Sequence, residues 1–211
     1  MGDDSSDILK RVSTLAQGDS SRDIYDDWSD SYDAHLQSEF GYISPEVAAR
    51  EFAQRLAQRD SPVIDFGCGT GLAGSALSAQ GFTCIDGADI SSGMLEQARA
   101  KQVYRNLLCI DLTAPIPLDD ECYDAGLCIG SLGAGHVGAE HVAEMLRPVR
   151  TGGLFVLTMN GTYYDSGDFE RVFRRMEADG LWSIDKLEEF NYMTELVRPG
   201  WLLVATRLAR R

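Results

Sequence analysis

The sequence predicts an open α/β fold with a mainly parallel sheet at its centre. Short apolar runs typical of strands alternate with helical segments between residues 63 and 179, and this alternation indicates βαβ units. Two further strands, 187–194 and 201–208, follow one another around Arg198-Pro199-Gly200, so we expect them to form an antiparallel pair. Ligands of such sheets bind at the carboxyl ends of the parallel strands.

The length and charge of the chain limit its possible partners. Its 211 residues are 44% hydrophobic and 25% charged, which is typical of one globular domain. The formal net charge is -14, and an excess of acid opposes the clustered Lys and Arg that nucleic-acid phosphates require. No apolar stretch approaches the ~20 residues of a membrane helix. We therefore expect no nucleic acid and no membrane among the partners.

The five cysteines lack the spacing of a metal site. Cys68, Cys84, Cys109, Cys122 and Cys128 form no CxxC pair, and the chain has no His-rich segment that could supply other zinc ligands. An odd count without a signal peptide is typical of a reducing compartment. The sequence thus predicts a cytoplasmic protein without a bound metal.

The sequence predicts that residues 1–60 form an N-terminal helical segment that serves as a lid. Apolar residues mark one helical face over 8–17. A second helix is predicted over 44–59, with Ser44 as its N-cap and Pro45 in its first turn.

Three aromatic residues between these helices are the candidates for the lid itself. Tyr25, Trp28 and Tyr32 are spaced for one helical face. Their rings either pack on the core as a helix stripe or cover a bound ligand. Tyr32 is the predicted pocket residue of the three.

The α/β part follows in regular order. Its predicted strands are 63–66, 82–89, 107–111, 123–129 and 154–159, before the two C-terminal strands. Its predicted helices are 72–79, 92–101, 139–146 and 168–179.

A glycine-rich turn between the first strand and its helix is the most informative segment. The segment 65–71 reads DFGCGTG, and glycine is required where a ligand lies against a sharply turning backbone. The stretch 69–74 is also a literal GxGxxG, which by itself is weak support for a dinucleotide. The carboxylate of Asp65 would repel a pyrophosphate but suits a cationic amino-acid group.

Three acids fall at the ends of successive predicted strands. Asp65, Asp89 and Asp111 end the first, second and third strands, so a parallel sheet would bring them to one edge. Asp89 is placed to accept the hydroxyls of a ribose, and Asp111 the amino group of an adenine. Alternatively, each acid caps its own turn.

These motifs resemble those of the class I (Rossmann-like) S-adenosylmethionine-dependent methyltransferases. The segment 65–71 matches the first family motif, D-x-G-x-G-x-G. The segments 87–98, 109–112 and 124–130 match the second strand and its helix, the adenine segment and the fourth strand. The segment 25–33 resembles the N-terminal part of the small-molecule branch. Within the class, the chain resembles the methyltransferase-like proteins of the Williams–Beuren region.

The resemblance implies a three-layer Rossmann-like fold with S-adenosylmethionine as the cofactor. The sheet would have seven strands, with the antiparallel C-terminal hairpin beside the fifth strand. Residues 61–211 would form the methyltransferase domain as a single globular unit.

The resemblance also implies cofactor contacts, residue by residue. The glycine-rich turn would line the methionine part with Asp65 near its ammonium group, Asp89 would hold the ribose, and the adenine and the sulfonium would lie on the following segments. The residues concerned are Asp65, Gly67, Cys68, Gly69, Gly71, Asp89, Ile90, Met94, Asp111, Leu112, Ile129 and Gly130.

A catalytic base is harder to identify, because methyl transfer depends mainly on positioning. His136 follows the fourth strand in a glycine-rich loop, and histidine titrates near neutral pH. It is the candidate base, although a histidine in a surface loop is the commoner explanation.

The sequence therefore predicts a methyltransferase that uses S-adenosylmethionine and acts on a small molecule. Two alternatives stay open. One is a protein that binds S-adenosylmethionine without turnover, and the other is an NAD(P)-dependent oxidoreductase that uses the GxGxxG segment.

Overall fold

The computed structural model describes residues 33, 36, 40–133, 137–164, 168–195 and 198–209. The predicted helix 8–17, the aromatic residues Tyr25, Trp28 and Tyr32, and His136 lie outside these ranges. None of the described helices has the length and apolar character that crossing a membrane requires.

The described elements alternate in the predicted order. The strands are β1 Val63–Phe66, β2 Ile85–Asp89, β3 Asn106–Cys109, β4 Tyr123–Leu132, β5 Val149–Asn160, β6 Trp182–Met193 and β7 Arg198–Arg207. The helices are α1 Ser44–Arg55, α2 Leu72–Ala79, α3 Ser92–Ala100, α4 Val142–Leu146, α5 Gly161–Tyr164 and α6 Asp168–Ala178, with a 3₁₀ turn at Ala139–His141.

The strands form one seven-stranded sheet in the order β3-β2-β1-β4-β5-β7-β6. The first five strands pair in parallel, with β1 at the centre between β2 and β4. β7 pairs antiparallel with β5 and with β6. The predicted α/β class, the strand count and the hairpin beside the fifth strand are confirmed.

Helices cover both faces of the sheet, which gives three layers. On one face, Phe66 and Phe155 pack with Phe173 of α6 and with Trp182. The indole of Trp182 donates a hydrogen bond to the carbonyl of Phe173 at 3.1 Å. Apolar strand residues on both faces of a sheet are expected when helices cover both sides.

The opposite face is covered by α1 and α2. Val63 of β1 packs with Phe52 of α1 and Leu77 of α2, and all three are fully buried. Phe52 also meets Phe82 edge to face, with the ring centroids 6.0 Å apart.

Several predicted boundaries were wrong. Ser44 is the first helical residue of α1 and not its cap; Ile43 is the N-cap and makes no side-chain capping bond. The helix ends at Arg55 and not near residue 59, because Leu56 is extended. β2 begins at Ile85 since Phe82 turns into the core, and β3 ends at Cys109, two residues before Asp111.

The start of β5 contains two glycines, one required by its backbone conformation and the other by the lack of space for a side chain. Gly152 has φ +75 and a Cβ there would meet nothing within 4 Å. A Cβ on Gly153 would lie 2.6 Å from the carbonyl oxygen of Asp124 and 2.7 Å from that of Arg150. Both neighbours are backbone atoms, so they cannot rotate away.

We expect Gly153→Ala to lower the free energy of unfolding by about 3 kcal/mol, because overpacking against fixed atoms displaces the backbone. Gly152→Asn is the matched control and should cost about 1 kcal/mol or less, since asparagine tolerates the left-handed region. Urea unfolding of both variants measures the difference. Equal losses would contradict this explanation of the turn.

Candidate functional site

The glycine-rich turn lies at the carboxyl end of β1 and is fixed by the neighbouring strand. The backbone N–H groups of Gly67 and Cys68 donate to the carbonyl of Ala88 at 2.7 and 3.0 Å. Gly69 has φ +52, and a Cβ built on it would meet nothing within 4 Å. The outer side of the turn is therefore open backbone that a ligand can approach closely.

Asp89 connects this turn to the start of α3. One carboxylate oxygen accepts the N–H of Gly69 at 2.8 Å, and the other accepts the N–H of Ser91 at 2.9 Å. Ser91 in turn caps α3 by accepting the N–H of Met94 at 3.0 Å. Asp89 thus lies at the edge of the turn, where the sequence placed it.

Asp65 lies beneath the turn and is completely buried. One oxygen accepts the hydroxyl of Tyr104 at 2.7 Å, while Oδ1 has no hydrogen-bond partner among the described residues. Burial raises the pKa of Asp65 to about 7; the Tyr104 hydrogen bond opposes that rise and the charge of Asp89 adds to it. A buried carboxylate oxygen without a partner fits a cationic group of a ligand.

Asp111 differs from the other two acids. It is exposed, and one of its oxygens accepts the N–H and the hydroxyl of Thr113 at 2.8 and 2.6 Å. This is the turn-capping role that the sequence left open. Its neighbour Leu112 is buried and lies beside Gly67, 3.8 Å from the position of a Cβ there.

The end of β4 borders the same turn. Gly130 has φ +74, and a Cβ on it would clash with the hydroxyl of Tyr42. Ser131 donates its hydroxyl to the carbonyl of Gly67 at 2.9 Å. Ser131 and Tyr42 are not predicted from the sequence, because no local pattern distinguishes them from other strand and loop residues.

The chain before α1 also reaches the turn. Asp33 accepts hydrogen bonds from the hydroxyl of Thr70 and from Lys101, whose ammonium group also donates to the carbonyl of Thr70 at 2.7 Å. Tyr42 bridges to Met193 at the end of β6. Asp33 therefore adjoins the glycine-rich turn, and the role of the N-terminal segment as a lid stays a prediction.

The remaining predicted residues differ in their burial. Cys68, Met94 and Ile129 are buried, and Ile90 is half-buried. Burial raises the pKa of the Cys68 thiol well above its ordinary value, so the thiol stays neutral. Among the residues that the structure describes, no group of three or more His, Cys, Asp and Glu side chains could hold a metal ion.

Tyr104 makes several contacts with the glycine-rich turn and is not predicted from the sequence. Its ring fills the space beside Gly71, Gly74 and Gly87, each of which would bring a Cβ to 3.0 Å or less from the ring. Its hydroxyl also accepts the N–H of Gly74 at 3.1 Å. The third glycine of the GxGxxG stretch is therefore required by a tyrosine side chain of this chain.

Comparison with known proteins identifies methyltransferases among the relatives of this chain. The methyltransferase domain family matches residues 64–157. Human Methyltransferase-like protein 27 is 34% identical over 167 residues, which is 75% of this chain and 66% of that protein. A bovine 18S rRNA (guanine-N(7))-methyltransferase is 36% identical over 70 residues, which is 33% of this chain and 25% of that protein. The chain thus spans just under two thirds of the first relative's length.

The fold is also shared with solved structures. A chain assigned as an S-adenosyl-L-methionine-dependent methyltransferase of Methanococcus maripaludis superposes with a TM-score of 0.65 at 18% identity. The match covers 88% of this chain and 94% of the other. At this identity the likeness shows the common fold.

We expect Asp65→Asn to stabilise the folded protein at alkaline pH. A pKa that rises from 3.8 to about 7 on folding corresponds to about 4 kcal/mol of stability that is present at acid pH and lost as pH rises through 7. The amide still accepts the Tyr104 hydroxyl but buries unpaired N–H groups, so we expect a net gain of about 2 kcal/mol at pH 8 and little at pH 4.

Urea unfolding at the two pH values measures this gain. Asp86→Asn is the matched control with the opposite sign. Burial raises the pKa of Asp86, but hydrogen bonds from Arg105 and Tyr123 outweigh it and the pKa is lowered. The Asp86 variant should lose stability at pH 8. A gain for Asp65→Asn that is equal at pH 4 and pH 8 would refute the assigned cause.

Proposed function

We propose that the chain is a class I S-adenosylmethionine-dependent methyltransferase and that it transfers a methyl group to a small-molecule acceptor. The observation that carries the proposal is the open glycine-rich turn between two carboxylates, Asp65 beneath it and Asp89 at its edge. This arrangement fits a ligand with a cationic amino-acid end and a ribose.

The residues present fit the cofactor of the family. The Asp65 oxygen that has no partner among the described residues is suited to its ammonium group, and Asp89 to its ribose hydroxyls. The open backbone at Gly69 allows close approach of the methionine part. When bound, S-adenosylmethionine supplies a methyl group activated by a positively charged sulfur.

The contribution of the chain is then mainly positioning, since a reacting pair held at about 3–3.5 Å needs little further assistance. Ile129 and Gly130 are proposed to lie under the sulfonium, and Tyr42, which lies against Gly130, is proposed to border the acceptor side. His136 is proposed as the general base for acceptors that must lose a proton. The adenine contacts of Ile90, Met94, Asp111 and Leu112 belong to the same proposal.

The charge distribution argues against a dinucleotide cofactor. Two carboxylates at one turn disfavour a pyrophosphate, which carries negative charge. In addition, the glycine at position 74 is accounted for by the ring of Tyr104. The oxidoreductase alternative therefore loses the feature on which it rested.

The small-molecule acceptor rests on the charge of the whole chain. With 33 acidic and 19 basic residues, the net charge of -14 opposes binding to RNA. The relative that methylates 18S rRNA is covered over only 25% of its length. We also propose a cytoplasmic location, because all five cysteines are free thiols.

Cofactor binding is the first test. We expect S-adenosylhomocysteine to bind the purified protein, and Asp89→Ala to weaken binding roughly 10- to 100-fold, since hydrogen bonds to a charged group are lost. Asp124→Ala is the matched control: this acid bonds Arg150 at 2.7 Å near the start of β4 and should change affinity less than twofold. Isothermal calorimetry gives the constants. No binding to the wild type would overturn the proposal.

The acceptor is tested with S-adenosylmethionine carrying a labelled methyl group. We expect protein-dependent label in the low-molecular-weight fraction of an extract and none in its RNA or protein fractions. The Asp89→Ala variant serves as the negative control. Label in RNA or protein instead would refute the small-molecule acceptor, and no label in any fraction would favour binding without turnover.

A further inference from the structure

Tyr104 contacts Asp65 from a loop that no cofactor motif includes. The loop joins α3 to β3, and the tyrosine lies 39 residues after its partner in the chain. Its hydroxyl donates to Asp65 at 2.7 Å and accepts the N–H of Gly74 at 3.1 Å. Burial and the nearby charge of Asp65 raise the pKa of the phenol well above its ordinary value, so the hydroxyl keeps its proton and donates it.

The chain is shaped to accept this ring. A Cβ on Gly71 would lie 2.9 Å from the Tyr104 ring, one on Gly87 would lie 3.0 Å from it, and one on Gly74 would clash with it. Glycines in three elements, namely the turn, α2 and β2, therefore leave the space that the Tyr104 ring occupies. Because cores are packed to high density, this slot fixes the position of the hydroxyl.

Resting on the proposed function, we infer that Tyr104 is the positioning residue for the amino group of the cofactor. Its hydroxyl holds one oxygen of Asp65, while the other oxygen has no hydrogen-bond partner in the part of the chain that the structure describes and is available to the ammonium group. Tyr104 does not itself touch the cofactor. It acts by keeping the carboxylate ionised and oriented.

This role makes cofactor binding depend on pH. The described groups that face Asp65 are Tyr104, Asp89, Cys68 and Cys128. Burial raises the pKa of both thiols, so they stay neutral, and Asp89 raises the pKa of Asp65. The Tyr104 hydrogen bond is the contact that lowers it. The ionised form needed for binding is therefore present above about pH 7 and lost below it.

The test compares Tyr104→Phe with the wild type from pH 6 to pH 9, with S-adenosylhomocysteine as the ligand. Without the hydroxyl, the pKa of Asp65 rises further. For a rise of one unit we expect binding about tenfold weaker at pH 6, about fivefold weaker at pH 7, and within about twofold of the wild type at pH 9. Both proteins bind the same ligand, so the titration of its own amino group cancels in the ratio.

The chain offers a matched control. Tyr123 donates its hydroxyl to Asp86 at 2.8 Å, near the start of β2 and away from the turn. Tyr123→Phe removes an equivalent buried Tyr–Asp bond and should leave the affinity within about twofold at every pH. Incorporating 3-fluorotyrosine at position 104 keeps the ring shape and strengthens the donor, so the pH profile should move to lower pH.

The outcomes separate this inference from the proposed function. Wild-type protein that binds no S-adenosylhomocysteine at any pH overturns both. Binding by the wild type with a Tyr104→Phe ratio that is constant across pH overturns the positioning role alone, because a merely structural loss does not follow ionisation. If Tyr104→Phe does not fold, an unchanged pH profile with 3-fluorotyrosine overturns it equally.

Discussion

The burial of one carboxylate governs the centre of this molecule. Asp65 lies near the carboxyl end of β1, the middle one of the five parallel strands, between β2 and β4, with no exposure to solvent. A charge in such a place is costly unless it is hydrogen-bonded and paired. One of its oxygens is held by a phenol and the other has no partner among the described residues. A ligand that carries positive charge offsets this cost. The burial of the Asp65 charge thus lowers the stability of the free protein and raises its affinity for such a ligand.

The surroundings of the carboxylate follow from that requirement. The turn above it consists of glycine where a ligand must approach, and the glycines beneath make room for the ring that supplies the hydrogen bond. Asp89 and Ser131 then connect the turn to α3 and to β4. Small residues and polar contacts at this point serve one purpose: they hold a charged group rigidly at the ends of the central strands.

The proposed acceptor side is built from parts that are distant along the chain. Tyr42 precedes α1, lies over Gly130 at the end of β4, and bridges to Met193 at the end of β6. Tyr42 and Tyr192 also meet edge to face, with their ring centroids 6.2 Å apart. The proposed cofactor side thus belongs to the sheet, whereas the proposed acceptor side joins Tyr42 to the C-terminal hairpin.

The sequence by itself determined the fold class, the strand count and the position of the glycine-rich turn. The predicted bounds of β1 and α2 agree with the structure, because alternation of apolar runs and the demand for glycine in a sharp turn are local properties. Only the tertiary structure decided the partners. The meeting of Tyr104 with Asp65, the bond from Ser131 to Gly67 and the contact of Tyr42 with Gly130 join residues 39, 64 and 88 positions apart. Local sequence patterns carry no information about such pairs, since packing across the sheet sets them.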